Sequence, residues 1–459
     1  MTYVLGVDSS TQSTKALLVD AADGTVVEQR SAPHPPGTEV DPRAWLAAFD
    51  EATAGLLERA EALAVGGQQH GMVALDAHGE PVRDALLWND TRSAQAARDL
   101  VEELGGPQAC AEVTGSVLVA SFTATKLRWL RDHEPENAGR VAEVLLPHDY
   151  VSRHAAAPGT GAFTDRGDAS GTGYFETRTG VWRPDLAKNA LGHEPDLPRL
   201  VSPGTVAAHT ATGVVVAGGT GDNAAAALGL GLETGDVLVS IGTSGVASAI
   251  SAVPVADGTG AVTGFADAAD GFLPLVATVN AAQILDLQAR WLGVSLDDLA
   301  AMALAAPAGA GGVTFLPYYG GERTPNRPDA TGTWTGLTPR TTREDLARAA
   351  FEALLCSLAD AVDLLVAATG QQPRRILMVG GATRSPAVRA LAPAVLGRPV
   401  LLPPAGEYVA LGAARQAAWA LTGELPAWTL PDTETYDAEP TPHVREAYAA
   451  WRDHERNQT

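Results

Sequence analysis

Cysteine is nearly missing from this sequence: Cys110 and Cys356 are its only two, far apart and with no Cys-x-x-Cys spacing. That excludes a disulfide framework and a zinc ribbon, and two buried free thiols fit a reducing compartment. Lysine is equally scarce, with Lys15, Lys126 and Lys188 alone, and 32 Lys plus Arg face 54 Asp plus Glu for a formal charge of −22. Such a field repels nucleic-acid backbones and anionic lipid, so neither is expected as a partner. The first residues, MTYVLGVD, lack the basic segment and long apolar core of a signal peptide, which points to the cytoplasm. Membrane spans are not expected either. The uncharged run at 237–256 is rich in Ser, Thr and Gly, and that at 299–321 is broken by Pro307 and glycines. What the chain does have is length and apolar content, 459 residues with 46% hydrophobic, enough for two or three domains with their own cores.

Alternation and turn residues predict a meander of three strands, at 3–7, 16–20 and 25–30, with a polar turn at 8–15. Asp41-Pro42 starts a helix whose Trp45, Leu46, Phe49, Ala52, Leu56 and Leu57 recur at helical spacing. A short strand at 63–66, a hairpin at His78-Gly79, a strand ending at Trp88 and a helix to about Leu104 follow. The pattern then restarts: 237–241 is a strand, Gly242-Thr243-Ser244-Gly245 a small-residue turn, and 246–250 a returning strand, so the chain reads as internally duplicated. Helices are predicted at 281–291, 296–305 and 343–369, and a strand at 375–379 opens onto Gly380-Gly381. The boundary falls between Gly221 and Asp236, with the Ala/Gly-rich stretch after Asn223 as a hinge. The domains are then 1–228 and 229–430, with a helical segment at 431–459 packing back on the first.

The first candidate for chemistry is Asp8-Ser-Ser-Thr11-Gln-Ser13-Thr14-Lys15, a strand-end carboxylate followed by a hairpin of hydroxyls. Small side chains let phosphate oxygens come within ~2.7–3.2 Å of backbone nitrogens, although an ordinary polar hairpin has the same composition. The second hairpin, at 242–245, favours the phosphate reading, and no Walker A loop is present.

Two longer segments, Ser121-Phe-Thr-Ala-Thr-Lys126-Leu-Arg-Trp129-Leu-Arg-Asp132-His133 and Gly332-Thr-Trp-Thr-Gly-Leu337 running on to Glu352, resemble the two signature segments of the FGGY carbohydrate kinases. Gly67-Gln-Gln-His70-Gly71, Trp88-Asn-Asp90, Leu146-Pro-His-Asp-Tyr150, Asp168-Ala-Ser-Gly-Thr172, Gly221-Asp222-Asn223, Phe315-Leu-Pro-Tyr and Gly321-Glu-Arg-Thr-Pro325 resemble the branch of that family acting on D-xylulose. The resemblance runs from Val4 to about Ala418. It implies an α/β fold of two actin-like ATPase (ribonuclease H-like) domains flanking a central cleft. It also implies ATP-dependent phosphorylation of D-xylulose to D-xylulose 5-phosphate, with ATP and Mg²⁺ as cofactors and a homodimer as a common assembly.

Residue by residue, the resemblance makes Asp222 the general base, and places Gln69, His70, Trp88, Asn89, Asp90 and Asn223 around the sugar. Amide, imidazole and carboxylate groups suit hydroxyls, and a Trp ring covers a C–H face. The competing readings are a satisfied core histidine for His70, the lesser of its two, and for Asp90 the cap of the following helix, with Arg92 as its partner. The resemblance puts Asp8, Thr11, Ser13, Lys15, Thr243, Gly321, Gly380, Gly381 and Ser385 at ATP, with Asp8 holding the metal; Lys15 as a solvated charge and the glycines as structural positions are the competing readings. Two positions depart from the pattern: Ser10 stands where many relatives have Gly, and Gly219-Thr220-Gly221 replaces three glycines. The alternatives are a kinase for ribulose, glycerol or a deoxyketose and, more remotely, a non-catalytic actin-like module or sugar sensor.

Overall fold

Strands β1 (Tyr3–Ser9), β2 (Ser13–Asp20) and β3 (Val26–Pro33) form the expected antiparallel meander in the computed structural model, which describes residues 1–430 and 432–456. On its other edge β1 runs parallel to Ala62–Gly67, and that strand runs parallel to Val215–Ala217 and Thr220–Gly221. Both faces of the sheet are covered at its centre, so β1 and Ala62–Gly67 read as near-continuous apolar runs rather than a clean alternation, while β3 is mostly exposed. Leu5, Val7, Leu18, Leu63 and Val65 pack with Trp45 and Phe49 on one face. Val4, Leu17, Val19, Ala62 and Ala64 pack on the other against Ala410, Ala413, Ala414 and Ala417 of the helix Tyr408–Thr422.

The second unit repeats this plan. Asp236–Ile241 is antiparallel to Gly245–Ala249 and parallel to Arg375–Val379, as β1 is to β2 and to Ala62–Gly67. The duplication expected from the sequence is therefore a duplication of topology. The helices Leu296–Ala305 and Arg343–Thr369 and the strand Arg375–Val379 fall where the spacing predicts them. The 27-residue helix opens on a capping box, in which Thr342 and Asp345 satisfy each other's backbone N–H groups. The uncharged run at 237–256 contains the second hairpin, and no helix among the described residues is long and apolar enough to cross a membrane.

Three expectations about organisation are corrected. First, the Ala/Gly-rich stretch after Asn223 is no hinge: Asp222–Gly229 is a helix, because a run of alanines is strongly helix-forming. Second, the chain does not divide at a single boundary. One unit comprises Met1–Leu232, Ala252–Leu273 and Gly406–Leu430, and the other Glu233–Ser251, Pro274–Ala405 and the described residues after 431. Segment 406–430 belongs to the first unit because Tyr408–Thr422 lies against β1 and Asp222–Gly229 at backbone-contact distance. A Cβ at Gly6 would sit 1.9 Å from the Ala410 carbonyl oxygen, one at Gly412 1.8 Å from that of Ala225, and one at Gly229 2.2 Å from that of Tyr408. Third, the terminal helix Pro442–Arg456 packs within the second unit instead of back on the first. Val444 and Tyr448 are buried, lining a space with Phe315, Ala349 and Cys356, and Arg445 and Arg452 both reach Asp360 on the 27-residue helix.

Candidate active site

Parallel pairing fixes the first half of the site. Asp8 is opposite Gly66 and Ser9 opposite Gly67, while Thr220 and Gly221 flank the same two glycines from the other side. Asp8, Gln69-His70 and Asp222-Asn223 consequently emerge at the carboxyl ends of three neighbouring strands, where α/β sheets place ligands.

Asp8 is buried, and burial pushes its carboxyl up to about 6 even though Ser10 donates to it at 2.5 Å and Lys15 is nearby. Ser10 has an ordinary backbone conformation, since His70, Ala310 and Asp432 are the non-glycine residues with positive φ among those described. Its hydroxyl thus adds a donor to Asp8 without strain. Lys15 has found an acid partner: its Nζ lies 2.6 Å from Oε2 of Glu407, a residue sequence reasoning did not single out, 392 positions away. Thr11 accepts a hydrogen bond at 2.9 Å from the indole of Trp88, a residue that is 47% exposed. Ser13 is half-buried at the start of β2, and Asn89 is exposed.

Asp222 opens its helix and is half-buried. Burial, followed by the like charges of Asp8 and Asp168, pushes its carboxyl up to about 7. Its Oδ1 accepts from the backbone N–H of Asn223 at 2.7 Å and from the Asn223 amide at 3.0 Å, and that amide also donates to Oε1 of Gln69 at 2.9 Å. Gln69, Asp222 and Asn223 are thus one hydrogen-bonded group.

His70 sits at φ +68°, a strained position for a residue with a Cβ. Its Nδ1 lies 2.6 Å from the Gly171 carbonyl, and because a carbonyl only accepts, Nδ1 carries the proton and donates. Phe122 and Phe265 hold the ring at centroid distances of 4.9 and 5.6 Å. Asp90 is committed locally. It accepts from the Arg92 backbone at 3.0 Å, from Arg92 Nε at 2.9 Å and from Thr38 at 2.9 Å, so Arg92 is the partner expected from the sequence. These bonds outweigh burial and hold its carboxyl below the usual range. The carboxylate shapes the turn ahead of the helix Ala94–Glu103 and is not that helix's N-cap.

Behind this edge lies a buried cluster that the sequence showed only as motif fragments. His148 Nδ1 lies 2.6 Å from Oδ2 of Asp168, and Asp149 and Asp165 are also buried beside it. Burial opposes a charge on His148, but the surrounding carboxylates, Asp149 first, push it up to about 9. Burial raises Asp149 to about 7 and Asp165 to about 6. Lys126, within the first signature segment, is fully buried: it donates to the carbonyls of Ala120 and Ser121, and burial brings it down to about 7 against the pull of Asp90.

In the second unit Thr243, Gly380 and Gly381 likewise follow the ends of adjacent parallel strands. Gly380 is needed for space, with φ +99° and a virtual Cβ 2.5 Å from the Ile241 carbonyl oxygen, whereas a Cβ on Gly381 meets nothing. The Ser385 hydroxyl is buried without a protein partner, just before the helix Pro386–Leu396. Gly321 joins Thr243 through one short segment: Ala281 N–H donates to the Thr243 carbonyl and the Asn280 amide to that of Gly321 at 2.8 Å. Glu322, unassigned from sequence, holds that segment by accepting from Val279 N–H at 2.6 Å and from the Asn280 amide at 3.0 Å. Nothing in local spacing announces Glu322 or Glu407, whose partners are distant in the chain.

Comparison with known proteins gives this arrangement its relatives. The chain matches the FGGY family of carbohydrate kinases, N-terminal domain, over residues 3–229, and the C-terminal domain of the same family over residues 237–421. It is 48% identical to a xylulose kinase of Streptomyces coelicolor over 92% of this chain and 88% of the relative. A xylulose kinase of Streptomyces rubiginosus is 46% identical over 92% and 89%. The crystal structure of xylulose kinase from Bifidobacterium adolescentis superposes with a TM-score of 0.92 at 45% identity, covering 98% of this chain and 99% of that one.

Proposed function

Because the chain belongs to the FGGY family of carbohydrate kinases, with its two actin-like α/β domains, we propose that it phosphorylates D-xylulose at the 5-hydroxyl, with Asp222 as general base. The protein is a sugar kinase, a phosphotransferase that takes its phosphoryl group from ATP. The observation that carries the proposal is the Asp222 carboxylate, held at a strand-end edge beside Gln69 and Asn223 and raised to about 7 by burial and its neighbours. A base whose pKa lies near the working pH is both available and strong enough to take a proton. In the reaction the sugar oxygen attacks the γ-phosphorus, the bond from phosphorus to the β,γ-bridging oxygen breaks, ADP departs, and the hydroxyl proton passes to Asp222. Gln69, His70, Trp88, Asn89 and Asn223 are assigned to the sugar. Asp90 is assigned to the wall beside them, its oxygens engaged by Arg92 and Thr38.

ATP is assigned to Thr11, Ser13 and Lys15 in the first unit and to Thr243, Gly321, Gly380, Gly381 and Ser385 in the second. The buried, partnerless hydroxyl of Ser385 and the exposed amide-rich turn at Gly380-Gly381 favour this. Magnesium fits Asp8, a buried carboxylate that its present neighbours leave raised to about 6, so a cation alongside would be favoured. Asp8 would hold the Mg²⁺, and a cation there would supply charge neutralisation on the phosphates. The acidic surface and two buried thiols favour a cytoplasmic enzyme acting on small molecules and not on nucleic acid.

ADP release measured across D-xylulose, D-ribulose, glycerol and a deoxyketose tests the substrate. D-xylulose is expected to give the highest kcat/KM, and any other acceptor exceeding it would replace the name. With D-xylulose, kcat/KM should rise as pH increases and level off above about 7. Below that value the raised Asp222 carboxyl is protonated and cannot accept the hydroxyl proton. A profile flat from pH 5 to pH 8 would rule out Asp222 as the titrating base.

A further inference from the structure

The approach to Asp222 is two glycines with one threonine between them, and that threonine is tied down. Thr220 is fully buried, and its Oγ1 donates to Oδ2 of Asp165 at 2.7 Å. Asp165 is itself anchored. Its Oδ2 also accepts from Gly167 N–H at 2.9 Å and its Oδ1 from Asp168 N–H at 2.9 Å, so one carboxylate holds both the 166–169 turn and the 220–221 strand. The contact has no slack, since a Cβ on Gly167 would lie 2.7 Å from both Asp165 Oδ2 and Thr220 Oγ1.

The flanking glycines carry no side chain and are confined by close packing. Gly219, at φ +74°, lies so close to His148 and to the Val65 carbonyl that a Cβ would approach them to 2.6 and 2.7 Å, and a Cβ on Gly221 would come within 2.7 Å of Gln69. Glycine by itself leaves a backbone free to wander. The strand here is only two residues long, and the Gly221 cap contributes no side chain to the helix that follows. Two side chains hold the segment that delivers Asp222: the Gln416 amide, which donates to the Gly219 carbonyl at 3.0 Å, and the Thr220 hydroxyl, the side-chain donor that the segment itself supplies.

We propose that Thr220 and Asp165 form a latch that sets the position of Asp222 for phosphoryl transfer, and that both are positioning residues of the enzyme. This rests on the reading of Asp222 as the base. A carboxylate misplaced by about 1 Å from its acceptor hydroxyl can lose on the order of 10²-fold in rate, so a loosened tether is expected to act on kcat more than on binding.

Thr220→Val keeps the shape and removes the donor, whereas Thr220→Ser keeps the donor. With D-xylulose and ATP varied at 25 °C, Thr220→Val is expected to lose roughly 10-fold in kcat with the KM for ATP within about 2-fold. Thr220→Ser should stay within about 2-fold of wild type. Asp165→Asn removes an acceptor from the other end and should give a similar loss, with the double variant Thr220→Val/Asp165→Asn no worse than the poorer single. If Thr220→Val is insoluble, Asp165→Asn and Thr220→Ser still read the latch. A lowered Tm with wild-type kcat, or fully multiplicative losses in the double variant, would overturn it. Asp222→Asn, run in parallel, separates the two levels. If it is inactive while Thr220→Val and Asp165→Asn are fully active, the latch fails and the base stands. If Asp222→Asn turns over at the wild-type rate, the base reading falls and takes the latch with it.

Discussion

Asp222→Asn is expected to lower kcat by about 10²- to 10⁴-fold and to leave the melting temperature unchanged or raised. The loss follows from the role of the carboxylate: an amide fills the same space and keeps an acceptor for Asn223 but cannot take up a proton. The stability side follows from its surroundings. Burial and the charges of Asp8 and Asp168 all disfavour the ionised group, so removing the charge relieves repulsion in the folded state. Initial rates of ADP formation and a thermal melt, taken on the same preparation, check both halves. Wild-type turnover would refute the assignment, and inactivity with a collapsed melt would show a folding defect instead of a lost base. The expected combination, less activity at no cost in stability, is how a strained functional group behaves.

Gly412→Val is expected to remove the protein from the soluble fraction, or to lower its melting temperature by about 5 °C or more, the result of a destabilisation of about 3 kcal/mol or more. The basis is distance. A Cβ at position 412 would lie 1.8 Å from the Ala225 carbonyl oxygen and 2.9 Å from Gly229 N, both backbone atoms of the helix that begins at Asp222. No rotamer change relieves such contacts, so the two helices must separate, and the face of β1 that meets Ala410 and Ala414 separates with them. As a control, Gly423→Ala is expected to change much less. That glycine ends the same helix with open space around its Cβ, although its φ of +80° carries some strain. Circular dichroism melts of the pair make the comparison; a Gly412→Val protein melting with the wild type would mean that this helix contact is not needed.

Elements whose signal is local were legible. The β1–β2–β3 meander, the second hairpin and the helix Arg343–Thr369 with its capping box all follow from apolar periodicity and turn or cap residues a few positions apart. Asp8 and Thr243 stand at a strand end and a turn, which the sequence marks with small and polar residues, whereas Asp222 is singled out only by the family resemblance, since an Asp in Gly-Asp-Asn reads by itself as a turn residue. Other features needed distance information. The partnership of Lys15 with Glu407 spans most of the chain, and the return of Tyr408–Thr422 to the first unit depends on Gly6, Gly66, Gly229 and Gly412, which look individually like any other glycines. The Ala-rich stretch after Asn223 reads as a hinge from the sequence because small residues suit a loose linker and a tightly packed helix equally well, and only the neighbour decides. The terminal helix was placed on the wrong unit for the same reason: Val444 and Tyr448 mark an apolar face, but not what covers it.

The first unit is assembled from three stretches of chain, and its last contribution, Gly406–Leu430, follows its first, Met1–Leu232, after the 173 residues 233–405. At ribosomal speeds of about 5–20 residues per second, that gap lasts on the order of 10–40 s. Through that interval the nascent amino-terminal sheet has one apolar side, around Val4, Leu17 and Val19, with no helix to cover it. The first unit is thus completed only when almost the whole chain has been made, and an early arrest in synthesis would leave a sticky intermediate for chaperones to shield.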